Sequence, residues 1–303
     1  MRTETTAQSN SPALDRSEAV TAEYVLTLDC AESPGIVHSV AEFLLDHSCY
    51  IIDIKQFGDQ KEGHFFMRVH FISTGSVSTR EELRQDFAPV AAKWEMNWRL
   101  EPHDRKQRIL VMVSKYGHCL NDLLFRARSG ELPVEIVAVV SNHQDHEDLV
   151  TWHGIPFHHI PVSQETKQEA ESELLELVDT YNVELVVLAR YMQVLSDNLT
   201  ARLAGKAINI HHSFLPSFKG AKPYHQAYER GVKTVGATAH YVNSELDEGP
   251  IIAQQVIEVD HTFSPSDLVT VGRDAECKAL TNAVRWHSEG RIILSGNRTV
   301  VLR

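Results

Sequence analysis

The sequence predicts an α/β protein of two domains, a ferredoxin-like βαββαβ unit followed by an open, mostly parallel, Rossmann-like α/β sheet. Three observations predict this. The chain has 303 residues, about twice the length of a typical domain. Its second part alternates nearly continuous apolar segments with helical patterns, which is typical of parallel strands buried on both faces. A polar segment, residues 102–107, separates this part from an earlier run of strands and helices.

These observations divide the chain into four segments. Residues 1–21 have no apolar core and carry several acidic side chains, so we expect a disordered tail and not a targeting signal. Residues 22–101 form the first predicted domain and residues 102–107 form the linker. Residues 108–303 form the second predicted domain.

The elements of the first domain follow the order β-α-β-β-α-β. The segment YVLTLD predicts a strand, after which Ser33 can cap and Pro34 can begin a helix. The segments CYIIDIKQF and GHFFMRVHF predict two strands joined as a hairpin. Thr79 and Glu82 match a capping box at the start of a second helix, and WEMNWRL predicts the last strand.

This order of elements, with the loop DCAESPG between the first strand and the first helix, resembles the ACT domains, a family of small regulatory modules. The resemblance implies an amino-acid effector, which we place at Ser33, Pro34 and Gly35 because a helix start offers free backbone amides. A plain oligomerisation domain that binds nothing is the alternative. In either case the exposed sheet edges favour pairing between chains, so we expect a homo-oligomer.

The second domain begins with the apolar strands RILVMVS and VEIVAVVS, and VELVVLAR and AINI follow after helical segments. Thr166 and Glu169 match a capping box at the start of one helix. The segment from Ser264 to Asp267 begins a long helix that ends at Gly290, and RIILSGNRTVVL predicts a closing hairpin. Ligands of such sheets bind at the carboxyl ends of the strands.

The composition excludes several classes of partner. The chain has 29 Lys and Arg against 41 Asp and Glu, a net charge of −12, which opposes contact with nucleic acid or anionic lipid. No apolar run reaches the roughly 20 residues of a membrane span, so we expect no membrane partner. The four cysteines are far apart and form no metal-binding pattern, so we expect no metal and a cytoplasmic location.

Three polar residues near predicted strand ends suggest a catalytic site: Asn209, His211 and Asp247. Attack on an acyl-type carbonyl requires a neutral donor for the developing oxyanion, a proton carrier and a charge that orients the imidazole. An amide, an imidazole and a carboxylate supply these. The pattern by itself also suits a structural role, because the chain contains 17 histidines.

The surrounding string AINIHHSFLPSFKGAKPYHQAYERGVKTVGATAHYVNSELDEGPIIAQ resembles the formyltetrahydrofolate-dependent formyltransferase family over nearly its full length. The resemblance implies that Asn209, His211 and Asp247 are the catalytic residues. It also implies that His240, in the strand before Asp247, supports the site, and we expect the same of His212.

Two loops resemble the folate-binding loops of that family. LARYMQVLS suits a flat heterocycle, because it combines apolar side chains with backbone amides at a strand end. The second loop follows the strand ATAHYV. The resemblance implies folate contacts from nine residues: Leu188, Met192, Gln193, Val194, Leu195, Val242, Asn243, Ser244 and Glu245.

Phosphate-binding relatives have a glycine-rich turn after the first strand of this domain, where this chain has a single glycine followed by the bulkier His118 and Cys119. That turn, the pair His211-His212 and the preceding ACT-like domain resemble the hydrolytic branch of the family, the formyltetrahydrofolate deformylases. The resemblance implies hydrolysis of 10-formyltetrahydrofolate to tetrahydrofolate and formate, without a cofactor. This activity would balance the one-carbon folate pool and supply formate for purine synthesis. The alternatives are a formyltransferase with an amine acceptor and a non-catalytic folate or amino-acid sensor.

Overall fold

The computed structural model of the chain describes residues 22–74, 79–215 and 223–303. The predicted tail at residues 1–21 lies outside the described residues. The first and the second part of the chain form separate main sheets, each with its own buried apolar cluster. None of the helices in these ranges combines the length and apolar character that a membrane span requires.

The first domain is a four-stranded antiparallel sheet with two helices, and its topology matches the ferredoxin-like prediction. Its strands lie in the order β2-β3-β1-β4, so β2 and β4 form the edges. Phe87 and Leu83 of the second helix pack with Phe43 of the first in the cluster beneath the sheet. The elements are β1 Ala22–Ala31, α1 Ile36–Asp46, β2 Cys49–Asp59, β3 His64–Ser73, α2 Arg80–Lys93 and β4 Asn97–Pro102.

The predicted start is confirmed for one of the two helices of this domain and is wrong for the other. The capping box of α2 is confirmed, because the Thr79 amide donates to Glu82 Oε2 at 2.7 Å and the Glu82 amide donates to Thr79 Oγ1 at 3.2 Å. The predicted start of α1 is wrong. Its N-cap is Gly35, in a left-handed conformation with φ 100°, and α1 begins at Ile36. Glycine alone adopts this φ readily, so the chain turns at Gly35 and leaves Ser33 and Pro34 in the exposed loop before the helix.

The second domain contains a seven-stranded sheet in the order β11-β10-β9-β8-β5-β6-β7. Neighbours from β9 to β7 pair in parallel, whereas β9-β10 and β10-β11 are antiparallel, so the predicted open and mostly parallel sheet is confirmed. The strands are β5 Gln107–Val113, β6 Val134–Ser141, β7 Phe157–His159, β8 Leu185–Leu188, β9 Ala207–His211, β10 Thr234–Tyr241 and β11 Ile251–Glu258.

Helices cover both faces of this sheet, and a short hairpin follows the last helix. The helices are α3 His118–Ser129, α4 Glu147–Trp152, α5 Lys167–Thr180, α6 Asp197–Arg202, α7 Pro223–Glu229 and α8 Pro265–Ser288, and the hairpin is β12 Ile292–Ser295 and β13 Arg298–Val301. One apolar cluster joins the sheet to α3 and α8, and another joins its opposite face to α5 and α6. The domain therefore has three layers, with the sheet in the middle.

The predicted boundaries of α8 and the hairpin are confirmed, whereas the start of α5 differs from the prediction. Ser264 caps α8 and accepts from the Asp267 amide at 3.2 Å. No capping box forms at Thr166, whose φ of −99° and ψ of 0° are not the extended conformation that such a cap requires. Its hydroxyl instead accepts from the Ser163 amide at 3.0 Å.

The two domains contact each other through the end of α8 and the closing hairpin. Phe66 of β3 is fully buried against Ile293 and Leu302. Arg68 Nε donates to the Glu289 carbonyl at 3.1 Å, and Thr27 Oγ1 donates to the Gly290 carbonyl at 3.0 Å. β4 ends at Pro102 and β5 begins at Gln107, so residues 103–106 connect the two sheets.

Candidate active site

A cavity of about 660 Å³ lies at the carboxyl ends of β5, β8 and β9. Segments that follow those strands and β10 line it, as expected for ligand binding in an open α/β sheet. Its volume suits a small-molecule ligand. It contains Asn209, His211, His212, His240 and Asp247 together.

The strand register brings Asn209 and His240 side by side. β9 and β10 pair antiparallel, with Asn209 opposite His240 and His211 opposite Thr238. Side chains alternate along a strand, so Asn209 and His211 lie on the face opposite the buried Ile208 and Ile210. Asn209 Nδ2 lies 3.2 Å from His240 Nε2. His240 Nδ1 lies 2.8 Å from the Tyr241 carbonyl and must donate to it, so Nε2 accepts from the Asn209 amide when the ring is neutral.

Asp247 joins the two histidines from the loop after β10. Its Oδ2 lies 3.2 Å from His211 Nδ1, and its Oδ1 lies 3.7 Å from His240 Nε2. Asp247 has φ 60°, in the left-handed region that few non-glycine residues adopt. The loop returns tightly: a Cβ on Gly249 would lie 1.7 Å from the Tyr241 carbonyl oxygen, so only glycine fits there. This close approach directs the carboxylate toward the strand ends.

The carboxylate of Asp247 stays ionised at neutral pH. Burial alone would raise the pKa of Asp247, but the hydrogen bond from His211 and the nearby imidazole of His240 outweigh it and hold the pKa well below its usual range. His211 Nε2 lies 2.8 Å from Ser213 Oγ, so both ring nitrogens of His211 have partners. The group can therefore orient an imidazole, carry a proton and donate an amide hydrogen to an oxyanion.

His212 directly follows the last residue of β9, and its ring centroid lies 5.2 Å from that of His211 and 6.4 Å from that of Tyr224. Burial lowers the pKa of His212 to about 4, and the nearby Arg190 and His211 act in the same direction. His212 is therefore a neutral imidazole at neutral pH.

The two loops that the sequence assigned to folate both line the cavity. Met192 and Val194 are 52% and 57% exposed, so apolar surface faces the open space. The Met192 amide donates to Ser114 Oγ at 3.0 Å, which ties the first loop to the end of β5. In the second loop the Glu245 amide donates to Asn243 Oδ1 at 3.2 Å. The cavity is lined by all nine of the predicted residues: Leu188, Met192, Gln193, Val194, Leu195, Val242, Asn243, Ser244 and Glu245.

The effector residues named from sequence lie elsewhere. Ser33, Pro34 and Gly35 are exposed in the first domain and do not line this cavity. Their ligand stays a prediction.

Sequence reasoning missed a second polar group in the same cavity. It centres on Glu276 of α8, which is buried beside His118, Arg190 and Tyr224. One signal could have found Arg190: a charged residue comes directly after the buried strand segment LVVLA. Glu276 gave no such signal, because a single carboxylate within a long helix is ordinarily exposed.

Two groups of side chains in the described ranges bring three potential metal ligands within 4.8 Å of one another: Glu23, His70 and His103, and His118, Cys119 and Glu276. In the second group, Arg190 Nε lies 3.3 Å from the same carboxylate, a cation that opposes a metal ion. A hydrogen bond with Cys277 and burial raise the pKa of the Cys119 thiol well above its usual value, which disfavours the thiolate that a metal requires.

This fold, with an amide, two imidazoles and a carboxylate at the strand ends, defines a formyl transferase domain, and residues 107–284 match the formyl transferase family model. The chain belongs to that family, and within it to the formyltetrahydrofolate deformylases. It is 64% identical over 280 residues to the formyltetrahydrofolate deformylase of Corynebacterium sp. strain P-1, covering 92% of this chain and 98% of that protein.

Solved structures agree with this assignment. The formyltetrahydrofolate deformylase of Burkholderia mallei has a TM-score of 0.89 and 49% identity, covering 93% of this chain and 100% of that one. Glycinamide ribonucleotide transformylase 1 of Symbiobacterium toebii has a TM-score of 0.61 and 30% identity, covering 65% of this chain and 95% of that one. The transformylase therefore matches about two thirds of this chain, whereas the deformylase matches nearly all of it.

The low pKa of His212 predicts an acid-sensitive cavity. Its pKa is about 4 in the folded state against 6.5 for the free group, so the unfolded state binds more protons between these values and stability is lost as the pH falls from about 6.5 toward 4. We expect His212→Gln to reduce the fall in melting temperature between pH 7 and pH 5. Melting curves at several pH values measure this.

The control is His38→Gln, at an exposed position of α1, which should keep the wild-type pH dependence. His287 also lowers the melting temperature as the pH falls, because burial lowers the pKa of His287 to about 4. The fall in melting temperature should therefore be smaller in His212→Gln than in the wild type, but it should not disappear. An unchanged slope in His212→Gln would show that His212 does not titrate in this range.

Proposed function

We propose that this chain hydrolyses 10-formyltetrahydrofolate to tetrahydrofolate and formate, with Asn209, His211 and Asp247 as its catalytic residues. The observation that carries the proposal is the connected group Asn209–His240 and His211–Asp247 inside the cavity of a chain that belongs to the deformylases. A site of this composition suits attack on a formamide carbon.

In the proposed reaction the Asn209 amide donates a hydrogen bond to the formyl oxygen. Asp247 positions the attacking water, while His211, held through its Nδ1 by the carboxylate, stabilises the tetrahedral oxyanion or moves a proton. The water oxygen bonds to the formyl carbon and water loses a proton. The bond between that carbon and N10 then breaks and N10 gains a proton, and the formic acid so formed loses its remaining proton and leaves as formate. His240 orients Asn209, and His212 supports the wall behind His211.

The folate ring in this proposal lies between the two loops. Met192, Val194 and Leu195 offer apolar surface, and the loop of Asn243, Ser244 and Glu245 offers backbone donors and acceptors to the pterin edge. Leu188, Gln193 and Val242 complete the pocket. All the groups that the reaction needs belong to side chains of the cavity, so we propose that it uses no metal and no organic cofactor.

The turn after β5 disfavours a phosphorylated acceptor. A Cβ on Gly117 would lie 2.4 Å from His146 Cε1, so the imidazole of His146 covers the turn. His146 Nε2 lies 3.2 Å from the Lys115 carbonyl, which fixes the ring there. The backbone amides that cradle phosphate at such a turn are therefore obstructed. The net charge of −12 disfavours a tRNA acceptor, and the assembled catalytic residues disfavour a sensor without turnover.

The test is release of formate from 10-formyltetrahydrofolate by the purified chain, in EDTA and without an amine acceptor. Asp247→Asn should lower turnover by about 10² or more while folate binding is kept, because an orienting charge and a proton relay are lost together. Rate measurements and a folate titration on the same protein separate the two effects.

The matched control is Asp179→Asn, an exposed position on α5, which should turn over at the wild-type rate. A wild-type rate for Asp247→Asn would remove Asp247 from the mechanism. Formylation of an added amine, with no formate in its absence, would replace the hydrolase with a transferase.

We also propose that the chain forms a homo-oligomer through its first domain. Tyr50, Ile52 and Ile54 of the edge strand β2 are 54%, 43% and 40% exposed, so an apolar row lies beside unpaired backbone groups. Such an edge is a template for a second chain.

Ile52→Lys should shift the oligomer toward smaller species, because a charge at a sheet edge opposes pairing. Light scattering coupled to size exclusion measures the mass. Leu45→Lys, at a position of α1 that is 76% exposed, is the control and should leave the mass unchanged. Should both variants keep the wild-type mass, the oligomer would not form through β2.

A small amino acid is the effector that we propose for the first domain, at the loop of Ser33, Pro34 and Gly35. The loop is exposed, and the left-handed Gly35 leaves the first amides of α1 open to a carboxylate. Calorimetric titration with glycine and with methionine should give heat for the wild type and less for Gly35→Val. No heat with either amino acid would favour an oligomerisation domain that binds nothing.

We propose a cytoplasmic location, with no nucleic acid or membrane partner. All four cysteines are free thiols, which suits a reducing compartment.

A further inference from the structure

A buried polar network lies beside the catalytic group and has no part in the mechanism above. Glu276 is 1% exposed. Its Oε2 lies 2.8 Å from His118 Nε2 and 3.3 Å from Arg190 Nε, and its Oε1 accepts from the Tyr224 hydroxyl at 2.9 Å. These interactions lower the pKa of Glu276 although burial alone would raise it, so the carboxylate is charged.

Arg190 is the unusual member of the network. It has φ 66°, a left-handed conformation that favours glycine, yet it carries a long side chain that is only 9% exposed. Its Nη1 is buried and makes no hydrogen bond with any described residue. A strained backbone and an unpaired buried donor each cost free energy, and such costs persist where a site requires them.

The backbone conformation of Arg190 decides which wall of the cavity its side chain joins. Leu188, at the end of β8, packs in the apolar cluster with α5 and α6, as do Leu195 and Val242 of the proposed folate pocket. Arg190 instead contacts Glu276 on α8, across the carboxyl edge of the sheet, and its guanidinium lies 5.7 Å from the ring centroid of Tyr116. The proposed folate loops and the Arg190 network therefore form opposite walls.

The catalytic group lies between these walls. His211 pairs with Asp247 at 3.2 Å, and the ring centroid of His212 lies 5.2 Å from that of His211 and 6.4 Å from that of Tyr224, a member of the Arg190 network. A formyl group held at Asn209 and Asp247 would thus have the folate on one side and the Arg190 network on the other. The second side is where an acceptor must approach the formyl carbon.

We propose that Arg190 determines the acceptor, because its side chain fills the space from which an amine would attack, so that only water reaches the formyl carbon. This inference rests on the proposed function. Water is small enough to pass a side chain that excludes a substituted amine. Glu276 is the positioning residue that holds the guanidinium in place, assisted by His118 and Tyr224.

Arg190→Gly tests the inference directly, because glycine relieves the left-handed strain and removes the side chain. The probe is glycinamide, supplied with 10-formyltetrahydrofolate whose formyl carbon is ¹³C-labelled. In the variant the amine nitrogen bonds to the formyl carbon and loses a proton, while the carbon–N10 bond breaks and N10 gains a proton. Carbon NMR distinguishes N-formylglycinamide from formate, and the ratio of the two should rise about tenfold or more over the wild type.

The matched control is Asn182→Gly. Asn182 has φ 48° and is exposed after α5, away from the cavity, so its replacement relieves similar backbone strain without opening the acceptor wall. Asn182→Gly should give N-formylglycinamide and formate in the same ratio as the wild type. A merely structural role for Arg190 would change the rate but would leave the ratio of the two products unchanged.

The outcomes separate this inference from the proposed function. If the wild type releases formate and a folded Arg190→Gly forms no more N-formylglycinamide than the wild type, Arg190 does not select the acceptor and the hydrolase assignment stands. If the wild type already formylates glycinamide efficiently and releases no formate without it, both are overturned. Should Arg190→Gly fail to fold, the double variant Arg190→Gly/Glu276→Gln removes the unpaired buried charge, and the same ratio decides.

Discussion

The carboxylate of Asp247, held between two imidazoles, is the interaction on which the site depends. A charge with this degree of burial is tolerated only with close partners, and His211 and His240 supply them from two neighbouring strands. The left-handed backbone at Asp247 and the contact of Gly249 with the Tyr241 carbonyl are both parts of the same turn. The strand pairing, the tight turn and the ion pairs therefore all favour the same position for the Asp247 carboxylate.

The parallel sheet explains why the residues of the candidate site lie at one end of the domain. The segments that follow β5, β8 and β9 meet at the same edge, and each adds a different component to the cavity. At the end of β9, His211 is paired with the Asp247 carboxylate, whereas burial keeps the neighbouring His212 neutral. Two adjacent histidines thus have different environments although their sequence context is nearly the same.

The fold and the grouping of Asn209, His211 and Asp247 could be predicted from sequence, because hydrophobic periodicity and a contiguous motif indicate them locally. Asn209, His211 and Asp247 lie within one recognisable string, and the structure brings them together. The Arg190 network could not be predicted, since Glu276 and Arg190 are 86 positions apart and meet only through packing of α8. The predicted start of α1 is wrong, because the N-cap is Gly35 at φ 100° and not the side chain of Ser33. Caps depend on one or two dihedral angles, which composition does not report.

The docking of Phe66 against Ile293 and Leu302 limits how this protein can be recombined. The closing hairpin and the residues after it belong to the second domain in sequence, yet they cover the side chain of Phe66 in the first domain. The same helix, α8, carries Glu276 at its centre and ends where Glu289 and Gly290 accept hydrogen bonds from Arg68 and Thr27. A chimera joined at the connector between the sheets would exchange only one half of this contact. The natural unit of exchange is therefore the first domain together with the closing hairpin, two segments that are distant in the sequence.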